Sequence, residues 1–133
     1  MLILGLVGSG RKQGRTHELM ASALAGVAEA GADTRLIYLA DYEIRHHLGE
    51  DPEGDPYCPD ALSDLCEEAD ALVLGAPVYY GDISGLTKSF MDSVRISNSN
   101  GKPALGYAIA GGSGKGLLSG VQSIYHFFYH RQM

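Results

Sequence analysis

Leu2-Ile3-Leu4-Gly5-Leu6-Val7-Gly8-Ser9-Gly10-Arg11-Lys12-Gln13-Gly14-Arg15-Thr16 is the stretch that decides how the rest of the chain is read. Its apolar run, residues 2–7, is short and continuous, as expected of a parallel strand covered on both faces. Gly8, Gly10 and Gly14 let the backbone turn sharply and come close to a ligand. Thr16 is a candidate cap for the helix that follows. Ser9 and Thr16 offer hydroxyls, Arg11, Lys12 and Arg15 offer positive charge, and a helix start offers unpaired N–H groups. So many donors on one βα turn describe an anion site, with phosphate as the fitting ligand.

Outward from that turn, Leu19, Met20, Ala23, Leu24, Val27 and Ala28 recur at helical spacing and predict a helix over 16–30, with Gly31 as its stop. His17 and Glu18 read as a solvated first turn. Residues 33–39 read as a second strand, parallel to the first because a helix joins them. Residues 42–59 hold Gly49, Pro52, Gly54, Pro56 and Pro59 and form an irregular excursion. His46 and His47, with Asp51, Asp55 or Cys58, match no standard zinc spacing and read as exposed loop histidines. Asp60 is a candidate cap for a short helix over 61–68, on which Cys66 is a small buried side chain.

Residues 71–76 form a third buried strand, which runs into Pro77-Val78-Tyr79-Tyr80-Gly81. A loop leaving the C-terminal end of a parallel strand is where ligands bind in open α/β sheets. Two tyrosines there offer aromatic faces to a flat ring, and Gly81 admits close backbone approach. A helix over 86–94 follows, with Lys88 and Asp92 as an i,i+4 pair, and then a polar turn over 96–101. Residues 103–110 form a fourth strand ending in Gly111-Gly112-Ser113-Gly114, a third glycine-rich loop on the same rim. The last helix, over 117–132, places Val121, Ile124, Tyr125 and Phe128 on one face.

The whole is a three-layer α/β arrangement: a parallel sheet with helices on both faces, in one domain spanning 1–133. The 133 residues allow one compact domain, and 45% hydrophobic content supports a core. A net charge of −6 argues against nucleic acid and makes the basic first loop a local exception. No apolar run has membrane-spanning length, and the N-terminus has no signal-peptide layout, so a membrane partner is not expected and the protein reads as cytoplasmic. Two cysteines, Cys58 and Cys66, are too few for a disulfide framework or a four-ligand metal site.

Spacing separates the known phosphate loops. Against a Walker A pattern the aligned positions are Ser9, Gly14, Arg15 and Thr16, so the first Gly and the Lys are missing. Against the dinucleotide fingerprint, Gly8 and Gly10 fit but Gln13 stands at the third glycine. The run 8–16 resembles instead the Gly-Ser-Pro-Arg-Lys-x-Gly-Asn-Thr loop of the NAD(P)H-dependent FMN reductase family, with Gly10 in place of Pro and Arg15 in place of Asn. Residues 75–92 are similar to that family's Pro-Val-Tyr-aromatic-Gly…Lys-x-Phe-x-Asp-Arg signature, with Ser93 at the final Arg.

The resemblance implies a flavodoxin-like fold with strand order 2-1-3-4. The fifth strand and last helix usual in the family are missing, which leaves an edge and a face to be covered. It implies FMN as cofactor, with the phosphate on Ser9, Arg11, Gly14, Arg15 and Thr16. The ring would lie on Pro77, Val78, Tyr79, Tyr80 and Gly81, and on Gly111, Gly112, Ser113 and Gly114. NAD(P)H would be the electron donor, a small molecule such as a flavin or quinone the acceptor, and a homodimer or tetramer the assembly. The iron–sulfur cysteine cluster of some relatives does not carry over, because Cys58 alone stands in that region. A flavodoxin-type electron carrier, a shortened subunit without flavin, and a nucleotide phosphohydrolase are the rival readings. No general acid or base is identifiable.

Overall fold

The computed structural model describes residues 1–49 and 57–133. Asp51 and Asp55, named above as possible ligands, lie outside the described residues. In chain order the elements are β1 (Leu2–Val7), α1 (Arg15–Glu29), β2 (Asp33–Tyr38), a 3-10 turn (Leu39–Asp41), α2 (Asp60–Glu68), β3 (Ala71–Tyr79), β4 (Asp82–Ile83), α3 (Gly85–Ser93), β5 (Ala104–Ile109) and α4 (Leu117–His130).

Four parallel strands form the main sheet in the order β2-β1-β3-β5. This is the expected 2-1-3-4 order, with the fourth long strand now numbered β5. The sequence reading missed β4, a two-residue strand that pairs antiparallel with the end of β3 through Val78–Ile83 and Tyr79–Asp82. It was missed because Tyr80 and Gly81 read as loop. They are the two central residues of a tight hairpin, both with positive φ (51° and 96°), as a type I′ turn requires. Asn or Gly is usual at the first of these positions, so Tyr80 carries no turn signal. For the same reason β3 runs three residues past the expected 71–76.

Side chains alternate across the sheet and divide the core. Leu4, Leu6, Leu72, Leu74 and Ala76 face α2, α3 and α4, meeting Leu62, Cys66, Phe90, Ile124, Phe127 and Phe128. Ile3, Val7 and Val73 face α1, meeting Met20 and Leu24. The α1 side is the thinner cover. Leu105 on β5 is half exposed, and β5 has no strand on its outer edge among the described residues.

Several helix details differ from expectation. Gly14, not Thr16, is the α1 N-cap, and Thr16 is the second helical residue, buried. Pro59, not Asp60, caps α2. Asp60 begins the helix and pairs with Arg95. On α1, Leu19 and Ala28 turn outward. On α4 the buried face is Gly120, Ile124, Phe127 and Phe128, and Tyr125 is exposed. Gly31 does stop α1: it has φ 90°, and its N–H donates to Ala28 while that of Ala32 donates to Val27. Lys88 and Asp92 do pair.

Candidate functional site

The C-terminal ends of β1, β3 and β5 open onto a cleft of about 390 Å³, within the range of small-molecule sites. It is lined by Ser9, Arg11, Gly14, Arg15 and Thr16 from the first turn and by Pro77, Val78 and Tyr79 from β3. Ile109, Ala110, Gly111 and Gly112 complete it from β5 and the loop beyond. The fold thus brings together residues from opposite ends of the chain, Ser9 and Gly112 among them. Tyr80, Gly81, Ser113 and Gly114 were expected to contact the same ligand and do not line the cleft. Tyr80 is fully exposed at the hairpin tip. The loop curls back beyond Gly112, with the Gly114 N–H donating to the Gly111 carbonyl at 3.3 Å. Ile109 and Ala110 were missed because they read only as the end of a strand.

The first turn is held from below. The Gly8 N–H donates to the Gly75 carbonyl (2.7 Å). The Gly8 carbonyl accepts from the Ser84 hydroxyl (2.7 Å) and the Thr87 hydroxyl (3.1 Å). Ser84 is also the α3 N-cap and accepts from the Thr87 N–H (3.2 Å). A Cβ on Gly8 would stand 2.0 Å from the Thr87 hydroxyl. Gly8 is therefore required by this clamp, a different reason from the ligand approach expected of it. At the other end of the turn, the Tyr107 hydroxyl on β5 donates to the Thr16 carbonyl at 2.5 Å.

What this turn presents suits an anion. The Ser9 side chain is buried and accepts from the Arg11 N–H (3.1 Å). Among the described residues no side chain caps α1, so the N–H groups of its first turn are open to a ligand. Among the described residues neither Arg11 nor Arg15 has a carboxylate partner. Lys12 does: it reaches away to Asp41 at 2.5 Å, over the Tyr38 ring. The loop charge is thus divided, with two guanidiniums on the cleft and one ammonium on the β2 side. His17 is not merely solvated, because its Nδ1 meets the Tyr38 hydroxyl at 2.7 Å. Two uncompensated guanidiniums, a buried hydroxyl and free helix amides match a phosphate monoester dianion. Next to them Tyr79, Pro77, Val78 and Ile109 give apolar and aromatic surface for a flat ring.

His46 and His47 are exposed. The first meets the Ser89 hydroxyl through Nδ1 (2.8 Å), and the second stacks on Tyr57. No group of metal-binding side chains is found among the described residues.

A parallel sheet in the order β2-β1-β3-β5, with a donor-rich turn after β1 and a cleft beside it, defines the flavodoxin-like FMN-binding proteins as the class. The model of the family described as NADPH-dependent FMN reductase matches residues 1–133, and the chain belongs to that family. It is a flavin-dependent NAD(P)H oxidoreductase by that membership. An iron–sulfur flavoprotein of Methanocaldococcus jannaschii is 33% identical over the whole chain, which spans 74% of that protein. An iron–sulfur flavoprotein of Archaeoglobus fulgidus is 33% identical over 73% of the chain, and the match spans 50% of its length. Among solved structures, FerB from Paracoccus denitrificans, a flavoenzyme NAD(P)H:acceptor oxidoreductase, superposes with a TM-score of 0.75. It is 25% identical, with 98% of this chain and 71% of that one covered.

The iron–sulfur group in those relatives' names does not fit this chain. Four thiolates hold such a cluster, and the chain has two cysteines. Both are buried. Burial pushes the Cys66 thiol up to about 12 and raises that of Cys58 too. A metal ligand needs the opposite, a thiolate at neutral pH.

Proposed function

We propose that residues 1–133 form a single FMN-binding domain that passes electrons from NAD(P)H to a small acceptor such as a flavin or quinone. The observation that carries this reading is the cleft itself, where the donor-rich first turn meets the strand ends of β3 and β5. Ser9, Arg11, Arg15 and the amides of Gly14 to Thr16 would hold the FMN phosphate. Pro77, Val78 and Tyr79, with Gly111 and Gly112, would hold the ring. The bound flavin supplies the chemistry, accepting a hydride from nicotinamide and passing electrons on.

The protein's part is to bind and orient. Among the described residues lining the cleft there is no carboxylate and no imidazole, so the chain offers no obvious acid or base for a proton step. Gly111 and Gly112 place backbone beside the ring with no side chain in the way. The two reduced cysteines suit a cytoplasmic setting. The exposed Leu105, Leu118, Tyr125 and Tyr129 suit a homo-oligomer. No helix among the described residues is long and apolar enough to cross a membrane.

The test is an absorbance spectrum of the purified protein before and after FMN addition and desalting, followed by anaerobic mixing with NADPH or NADH. Retained flavin bands that bleach on mixing support the reading, and acceptor-dependent turnover extends it to catalysis. A protein that retains no flavin after reconstitution overturns it, and one that retains flavin but is not reduced by either nucleotide is an electron carrier.

A further inference from the structure

Tyr107 does not line the cleft, yet it touches the turn that does. It stands in the middle of β5, on the face covered by α1. Its hydroxyl donates to the carbonyl of Thr16 at 2.5 Å. The ring reaches that carbonyl by passing over Gly75 of the intervening strand β3. A Cβ on Gly75 would lie 2.3 Å from the hydroxyl oxygen. Two positions distant in sequence are thus shaped for one contact. Burial raises the pKa of this phenol well above its ordinary value, so it stays a donor at any working pH.

One other directional contact holds the α1 N-terminus, the His17 Nδ1 with the Tyr38 hydroxyl at 2.7 Å on the β2 side, and the rest has no direction. Met20 and Leu24 pack on Ile3, Val7 and Val73 through apolar contact, which fixes depth but tolerates rotation. The connection to β1 runs through Gly10 and Gly14, which restrain the backbone little. A hydrogen bond to a first-turn carbonyl sets the rotation of the helix end, and so the aim of its free amides and of Arg15. We propose that Tyr107 is a positioning residue for the phosphate end of the flavin, acting through Thr16. The inference rests on the phosphate reading of the first turn.

Tyr107→Phe keeps the ring packing and removes only the donor. FMN and riboflavin are titrated into flavin-free wild type and variant, following flavin fluorescence, with thermal unfolding of both in parallel. The expected result is FMN binding weakened about five- to tenfold, with riboflavin binding unchanged. Equal weakening of both ligands, or of neither, overturns the proposal, the first because it marks a general packing role. Wild type that holds FMN no tighter than riboflavin overturns the phosphate reading itself, and the proposal with it. Amide hydrogen exchange at Glu18, whose N–H is bonded to the Gly14 carbonyl at 3.0 Å, gives a second measure without ligand. It should speed up in the variant, and an unchanged rate counts against the proposal.

Discussion

Two glycine-rich turns face each other across the cleft, and both lead into a helix capped by glycine. The first runs from Gly8 to Gly14 before α1, and the second from Gly111 to Gly116 before α4. In sequence they look like variants of one device. In the fold they differ in what stands beneath them. The first is tied by buried hydrogen bonds to α3 at Gly8 and by a partly buried one to β5 at Thr16. The second is held by its own backbone turns, Gly114 to Gly111 and Leu117 to Gly114. Ser119 and Ser123 of α4 brace the neighbouring hairpin at Gly81 and Asp82. Glycine content alone therefore does not make an anion site. In the reading proposed above Arg11, Arg15 and Ser9 do, on a backbone held at Gly8 and Thr16 before the ligand arrives, which lowers the ordering cost of binding.

The strongest way to break this contrast is to disturb the clamp under the first turn. Gly8→Ala puts a methyl group 2.0 Å from the Thr87 hydroxyl. Overpacking of that kind costs about 1–3 kcal/mol. Urea unfolding should show this loss together with greatly weakened FMN binding. A variant of wild-type stability would mean that the clamp yields easily.

Next comes charge. Arg15→Ala and Arg11→Ala should each weaken FMN by about 1.5–3 kcal/mol, the range for hydrogen bonds to charged groups, and leave riboflavin unchanged. Lys115→Ala, on the opposite turn, should change neither. Equilibrium titrations of the three variants test the division of labour directly, and a Lys115 effect as large as that of Arg15 would erase it.

Ser84→Ala removes a helix cap and one bond to Gly8 together. The expected loss is about 1 kcal/mol, measured by chemical denaturation. The smallest effects lie in the second turn. Gly112 has φ 60°, so Gly112→Ala should cost about 1 kcal/mol. Gly111 has ordinary φ and open space around its Cβ position. Gly111→Ala should therefore stay within about 0.5 kcal/mol of wild type. Thermal melts of the pair decide whether the second turn depends on backbone conformation at Gly112.

Much of this was readable along the chain. Continuous apolar runs gave β1 and β3, since a strand buried on both faces tolerates them. Ser9, Arg11 and Arg15 were singled out as donors on one turn, and the fold brings all three to the same cleft. The errors cluster where a residue's partner is far away. Lys12 looked equivalent to Arg11 until Asp41 was seen beside it. Tyr125 looked core-facing until α4 was rotated to bury Phe127. Tyr80 read as loop until β4 made it the tip of a hairpin.

The sequence by itself determined the fold class, the family resemblance and the chemistry of the first turn. Those depend on local periodicity, on spacing within a few residues and on the kinds of donor present. Tertiary structure alone decided which of those donors face the cleft and which positions hold them there. Gly75 meets Tyr107 by strand register across the sheet, and Gly8 meets Thr87, and Tyr107 meets Thr16, by the packing of α3 and α1 on that sheet. Register is set by the sum of all core contacts, so no single stretch of the chain records it.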